Sequence, residues 1–251
     1  MLTPGTLLNR LYERLLPAAK NRRIDDLRVG LSYVGVRLDN GAAGLAAVLP
    51  DTKPGGCTVL KTCAGACAAE MLRHLVDGNT ALHRAIGLAA ANALVVPSAD
   101  KTEDREATTY FHLKPGEKVA MVGLFSPLVE RIRATGALLT IIEKNPERLE
   151  LLSPDQKQQA LLECHVAVIT ATTLLNNTFE ETIALLGSPR WVALMGPSTP
   201  LLPEIFADTP VTHLGGAVAA DSARVLQVIS EGGGTPALRP YLRFVNLMIG
   251  T

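Results

Sequence analysis

Aromatic residues make up only 4% of this sequence, and neither charge sign is in excess: Lys plus Arg number 24, and so do Asp plus Glu. Such a balance sets up no field to draw in nucleic acid or an anionic membrane, so neither is expected as a partner. No run of 18 residues is apolar and uncharged, which excludes a membrane-spanning helix of ordinary kind. Positions 7–16 are broken by Asn9, Arg10, Glu13 and Arg14, so the start of the chain has no signal-peptide core. A cytoplasmic protein is the expectation, with its four cysteines, Cys57, Cys63, Cys67 and Cys164, as reduced thiols. Also missing are G-x-G-x-x-G, a Walker sequence, a G-x-S-x-G elbow and H-E-x-x-H. Several common routes to phosphate binding, acyl transfer and zinc hydrolysis are thereby closed.

What the chain does have is alternation. In 118–146 an apolar run enters a turn at Gly123, and a helix follows with Ser126 as cap and Pro127 in its first turn. Gly136 ends that helix, and a second apolar run finishes on Glu143, 20 positions after the turn glycine. An acid so placed in a nucleotide-binding sheet can accept hydrogen bonds from ribose hydroxyls. Strands are predicted at 118–124, 137–142, 165–170, 191–195 and 210–214. Helices between them are expected at 127–135, at 154–163 after Ser153, and at 179–186 with Thr178 and Glu181 as a capping box. A short one follows near 200–206, and another spans 221–230 after Asp221. Five apolar strands separated by helices predict a parallel sheet buried on both faces. The tail, 241–249, packs back on the rest.

The first 100 residues follow another pattern. Leu7, Leu8, Leu11, Leu15 and Leu16 mark one face of a helix over 3–19. Residues 27–38 alternate like a strand, Asp39-Asn40-Gly41 signals a turn, and 43–49 returns as the second arm of a hairpin. Helices are expected at 63–77 and 80–96, the second apolar after Arg84 and therefore buried, with Asn92 inside it. The fold class is thus α/β overall: an α+β domain at 1–100, a linker at 101–117, and a parallel-sheet domain at 118–251.

Ligands of open parallel sheets bind beyond the carboxyl ends of the strands. The five turns there supply Gly123, Phe125 and Ser126; Glu143 and Asn145; Thr170, Thr172, Asn176 and Thr178; Gly196 and Ser198; and Gly215 with Gly216. Glycines let a ligand approach the backbone, and helix amino termini offer free N–H groups. Glu143 is the strongest single candidate and Asn176 the second. Taken singly, each serine, threonine or acid could equally be a helix cap; their gathering on one rim is what suggests a polar ligand. Asn92 needs partners, because a buried amide is costly unpaired; it either satisfies itself within the core or faces a cleft between the domains. His213 ends a strand beside Gly215 and could reach the rim, while His112 and His165 border strands and read as structural.

Cysteine offers the metal alternative. Cys63, Cys67, Glu70 and His74 would share one face of a helix over 63–77, yet Cys63 and His74 would stand about 16 Å apart along it, too far to share an ion. Only Cys63 and Cys67 with Cys57 could meet, and their spacing fits neither a zinc knuckle nor an iron–sulfur set. Small thiols filling a helix face is the plainer reading.

Six blocks carry a resemblance. They are Gly87-Leu-Ala-Ala-Ala-Asn-Ala-Leu94, Val119-Ala-Met-Val-Gly-Leu-Phe-Ser-Pro127, Ile141-Ile-Glu-Lys-Asn-Pro146, Ile169-Thr-Ala-Thr-Thr-Leu-Leu-Asn-Asn-Thr178, Met195-Gly-Pro-Ser-Thr-Pro200 and Glu231-Gly-Gly-Gly234. Together they resemble the heavy-metal chelation family of prokaryotes. That resemblance implies an enolase N-terminal-like domain followed by a Rossmann-like domain, with a site in the cleft between them. It implies a metal, a metal chelate or another small molecule as ligand, and leaves open an enzyme using a nucleotide or S-adenosylmethionine-type cofactor. The blocks hold hydroxyls, amides and one acid rather than soft donors, which suits an organic molecule better than a bare heavy-metal ion. A homo-oligomer remains open as a partner arrangement.

Overall fold

The computed structural model describes residues 2–49, 62–95, 97 and 107–250. It opens with helix α1 (Thr6–Ala19), which buries Leu7, Leu8, Leu11, Leu15 and Ala19 on one face. No side chain within the helix caps its start. The cap comes from far along the chain: the buried Glu180 carboxylate accepts the Leu7 N–H at 3.0 Å. A charged acceptor on a helix's first turn is worth about 2 kcal/mol. Glu180→Ala should therefore lower the unfolding free energy by about that amount, which a urea titration would read as a lower midpoint with an unchanged slope.

Residues 27–38, read as one strand, fold as two. Strand β1 (Ile24–Val29) and strand β2 (Tyr33–Leu38) pair antiparallel, and β3 (Ala43–Ala47) pairs with β2 on its other side. The sheet is a three-stranded meander, not a hairpin. The extra reversal lies at 30–32, where Gly30 donates its N–H to the Tyr33 carbonyl. A side chain at Gly30 would run into the Ile229 carbonyl oxygen, 2.1 Å from where its Cβ would sit. The turn thus lies tightly against a distant helix, and its only local mark is Gly30 with Ser32 inside an apolar alternation.

The expected helix over 63–77 is also absent as such. Residues 62–67 form an extended turn with Gly65 at φ +81°, held to β1 by hydrogen bonds from Ile24 N–H to the Ala66 carbonyl and from Gly65 N–H to the Ile24 carbonyl. Helix α2 (Ala68–Leu72) begins only after Cys67, and α3 (His74–Asp77) follows a break at Arg73. Cys63 therefore precedes the helix, and the four-residue face drawn from Cys63 to His74 does not exist. The buried helix α4 (Ala81–Leu94) is capped by Thr80, whose hydroxyl accepts the His83 N–H.

The larger sheet has order β5-β4-β6-β7-β8-β9. Its strands are β4 (Lys118–Val122), β5 (Leu138–Ile142), β6 (Val166–Thr170), β7 (Trp191–Met195), β8 (His213–Ala219) and β9 (Leu242–Met248). The first five run parallel and β9 pairs antiparallel with β8. The chain steps outward from β4 to β5, then returns across β4 to β6, which puts the switch point between the carboxyl ends of β4 and β6.

Connecting helices are α5 (Ser126–Ala134), α6 (Pro154–Glu163), α7 (Thr172–Leu175), α8 (Phe179–Ala184) and α9 (Ser222–Ser230), with α10 (Thr235–Leu238) before β9. Successive strand residues point to opposite faces. Val119, Met121, Val168 and Ala193 pack with Leu128, Val129 and Ile132 of α5. Ala120, Ala167, Ile169 and Leu194 pack with the α1 and α4 side. The outcome is a mixed α/β fold: a small antiparallel sheet, then a mostly parallel one covered on both faces. Among the described residues no helix is long and apolar enough to cross a membrane.

Three local details differ from the pattern read in the sequence. Ser126 is the first residue of α5 and does not cap it. Thr178 makes no capping box with Glu181; its hydroxyl donates to Asn176 Oδ1 at 2.7 Å. Gly215 and Gly216 are not a strand-end turn but lie inside β8, opposite Asn246 and Val245 of β9. They are small because their neighbours need the room: a Cβ at Gly215 would meet Met195 Sδ at 2.4 Å, and one at Gly216 would meet Leu201 at 2.8 Å.

Candidate functional site

Five parallel strands bring the turns after β4, β5, β6 and β7 and the end of β8 to one edge of the sheet. At the switch point the turns touch. Gly123, at φ +83°, lies so close to Thr170 that a Cβ there would be 2.8 Å from the threonine methyl. The Phe125 ring edge lies 3.9 Å from the Cβ position of Gly196. The Thr170 and Thr172 hydroxyls meet at 3.1 Å. Asn145 closes its own turn, with Oδ1 accepting the Glu147 N–H.

Glu143 is buried at 8% exposure, and its carboxylate is fully engaged. One oxygen accepts the N–H groups of Lys144 and Asn145; the other accepts the Leu124 N–H and pairs with Arg148 at 3.1 Å. Burial alone would raise its pKa, but these N–H donors and Arg148 outweigh it, and the net shift is downward. Glu143 is a charged knot tying the β4 turn to the β5 turn. A ribose could reach it only by displacing those partners.

Further along the same edge the two sheets face each other. A cavity of about 270 Å³ lies between the β2–β3 turn (Gly41, Ala42, Ala43), the end of α4 (Asn92, Ala93, Val95), the turn after β7 (Thr199, Leu201), and the end of β8 with the start of α9 (Ala217 to Ser222). Its walls are mostly alanine, glycine, valine and leucine. The exceptions are Asn92, Thr199 and Ser222. The Asn92 amide nitrogen donates to the Leu45 carbonyl at 3.0 Å and reaches the Ser198 carbonyl at 3.4 Å. Its Oδ1 is buried with no hydrogen-bond partner. Thr199 is 2% exposed, and its Oγ1 is likewise buried and unpartnered. Each such group costs about 1–3 kcal/mol unless something supplies the missing bond.

Asn92 is a residue of the cavity wall, but its amide is turned into the core, with the nitrogen bonded to two carbonyls and Oδ1 closed off from the cavity. Ser198, by contrast, is structural: its Oγ accepts the Ala47 N–H at 2.8 Å, joining the β7 turn to β3. Thr199, Ser222 and Gly41 were not singled out from the sequence. The sequence pattern points only to the neighbourhood of Thr199, the turn after β7; what distinguishes its hydroxyl is burial, which leaves no local signature. Asn176 and Thr178 bond each other and lie outside the cavity wall.

The metal alternative finds no donor set. Among the described residues no three of His, Cys, Asp and Glu converge as ion ligands. Cys67 caps α2, with its sulfur 3.5 Å from the Ala19 carbonyl, and lines a separate surface hollow with Tyr12, Lys20, Glu70 and Arg73. Burial pushes the Cys164 thiol up to about 11, the opposite of what a metal-binding thiolate needs. Cys57 lies outside the described residues.

Comparison with known proteins gives the family. Two family models match, both described as "Putative heavy-metal chelation", one over residues 12–95 and the other, DUF364, over 106–248. An uncharacterised protein of Methanocaldococcus jannaschii is 25% identical over 162 residues, 62% of this chain and 62% of that protein. A protein of unknown function from Pyrococcus horikoshii, of the DUF364 family, superposes with a TM-score of 0.85 at 19% identity, covering 97% of this chain and 100% of the other. A second DUF364 protein of unknown function, from Desulfitobacterium hafniense, gives 0.77 at 22% identity, over 94% and 97%. These structures speak for the fold. The model over 106–248 takes in more than half of the sequence, and the chain belongs to the DUF364 family, whose description is "Putative heavy-metal chelation".

Proposed function

We propose that this chain binds a small polar organic molecule in the cavity between its two sheets, and that a part in heavy-metal handling runs through a metal carried by such a molecule rather than through a bare ion. One observation supports the reading above the rest: the cavity lies where the small sheet meets the carboxyl end of the large one, and Asn92, Thr199 and Ser222 are the polar residues of its wall. Asn92 Oδ1 and Thr199 Oγ1 are buried without partners, and a turn of the Thr199 side chain about χ1 would bring its hydroxyl to a ligand and supply the missing bond. The family description supplies the metal context; the amide and hydroxyls of the cavity wall, which are not soft donors, suit an organic carrier better than a bare heavy-metal ion. A nucleotide at the β4 edge is the weaker reading, because the Glu143 carboxylate is already taken up by protein partners.

Thr199→Val tests it. Valine keeps the shape and removes the orphan hydroxyl, so the free protein should become more stable by about 1 kcal/mol. The same change should abolish the rise in thermal midpoint given by organic binders. A ligand at about a hundred times its dissociation constant adds about 2.7 kcal/mol, or roughly 5–10 °C for a chain of this size. A midpoint raised by Zn²⁺ or Cd²⁺ alone, equally in wild type and Thr199→Val, would overturn the proposal.

A further inference from the structure

We propose that the surface hollow between α1 and α2 is a second binding site, for a carboxylate carried on an apolar body, held by the ammonium of Lys20 and the guanidinium of Arg73. The hollow measures about 490 Å³ and shares no residue with the cavity between the sheets.

Its wall has an apolar stretch that ends on a cation. Tyr12 and Leu16 lie four residues apart on α1, and Lys20 follows four residues later, still with helical backbone angles. That spacing puts all three on one face, over a rise of about 12 Å. The tyrosine and leucine are half-buried, while Lys20 is exposed. Arg73, at the end of α2, brings a second exposed cation to the same hollow. A molecule with an apolar stem and an anionic head matches this order, with the stem against Tyr12 and Leu16 and the head at the cations.

The groups that could occupy these cations are engaged elsewhere. The carbonyls that end α1 are already bonded: Pro17 accepts the Asn21 side-chain amide, Ala18 the Asn21 N–H, and Ala19 the Arg22 N–H and the Cys67 thiol. Lys20 is thus not needed to cap the helix. Glu70, the acid of the wall, stands three residues before Arg73, yet its Oε1 accepts the Cys67 N–H at 3.3 Å as part of the capping box that starts α2. Two cations and one carboxylate leave the wall positive by one charge in a chain whose charges cancel. One negative charge on the ligand balances it, and a planar carboxylate suits the guanidinium fork. A doubly charged phosphate would overshoot that balance and meet Glu70 as well.

Three probes with one body and different heads test the site: 3-phenylpropionate, 3-phenylpropanol and 3-phenylpropylamine. Saturation-transfer NMR on the intact protein reports their binding to wild type, Lys20→Glu, Arg73→Glu and Lys114→Glu, with circular dichroism confirming that each variant is folded. Lys114→Glu makes the same change in net charge at an exposed turn before β4, outside the hollow. The acid should bind at least about fivefold more tightly than the alcohol, and the amine more weakly than either. Lys20→Glu and Arg73→Glu should each erase the preference for the acid, Lys114→Glu should leave it, and added salt should weaken it. Equal binding of the three probes, or binding of none, would overturn the proposal. A preference for the acid that survives both Lys20→Glu and Arg73→Glu, or that disappears equally in Lys114→Glu, would overturn it too.

Discussion

Gly44→Ala should unfold this protein at markedly lower temperature, by more than any surface substitution. Strand β3 crosses helix α4 at Gly44 with no side chain between the two backbones. A Cβ placed there would lie 2.2 Å from the Ala93 nitrogen, 2.4 Å from the Ala89 carbonyl oxygen and 2.5 Å from the Asn92 carbonyl carbon. All three are backbone atoms of a buried helix, so no rotamer change relieves the contact. The helix cannot simply retreat: on α3's side, a Cβ at Gly87 would already be 2.7 Å from the Leu75 nitrogen. Overpacking a core costs about 1–3 kcal/mol when side chains can yield. Here the upper end, about 3 kcal/mol, is expected, which is roughly 6–12 °C in midpoint for a chain of this length.

Gly41 is the control. It has φ +83° but nothing within 4 Å of its Cβ position, so Gly41→Ala should cost only the backbone strain, about 1–2 kcal/mol. Scanning calorimetry of the two variants separates close approach from strain. Equal midpoints would show that β3 and α4 are not held this tightly. The contact also bears on the cavity, because the Asn92 backbone is one of the atoms displaced. Gly44→Ala should therefore weaken ligand binding beyond its effect on stability.

This close approach explains what could and could not be read from the chain. The run of alanines in α4 announces a buried helix, since it offers no polar face, and the helix ends within a residue or two of where its pattern predicts. Strand β7 and helix α6 likewise carry their own signals: a short apolar run, and Ser153 with Gln156 closing a capping box. The sequence pattern fails where a distant element decides. Gly30 has Ile229 where a side chain would go, and Gly215 and Gly216 lie in a strand paired with β9 while Met195 and Leu201 fill the space a side chain would take. Residues 63–67 form a turn instead of a helix because β1 claims their hydrogen bonds at Gly65 and Ala66. The candidate site divides in the same way. Asn92 stands out as an amide in an apolar helix, a mismatch visible in one dimension. Thr199 is one of many threonines in turns until the fold buries it. Glu143 was prominent for its spacing, yet its carboxylate serves the turns around it.

The second large effect is a loss of stability in mild acid, centred on His213. Its ring is fully buried, packed against Tyr110, Phe111 and Trp191, with Nε2 donating to Asn246 Oδ1 at 2.9 Å and Nδ1 unpartnered. Burial opposes the charged form more than the Asn246 bond favours it, and the pKa is pushed down to about 4. In the unfolded chain the imidazole returns to about 6.5. Above that pH both states are neutral and the group contributes its full share. Between about 6.5 and 4 the unfolded chain binds a proton that the folded one refuses, so stability falls as pH falls, and below about 4 the contribution is gone. A shift of that size corresponds to about 3 kcal/mol. His74, whose pKa is lowered by burial and by His83, adds a part in the same direction. Glu117 acts lower: its bond to Arg190 holds its carboxyl at about 2, so its share is present above about pH 4.5 and lost towards 2. Replacing His213 with glutamine, which can still donate to Asn246 but does not titrate, isolates the histidine. Trp191 is the only tryptophan of the chain, with its ring 5.7 Å from His213, and its fluorescence reports urea unfolding at each pH. Wild type should lose about 3 kcal/mol more than His213→Gln between pH 7 and pH 4. Parallel losses in the two proteins would mean that the buried ring is not what titrates.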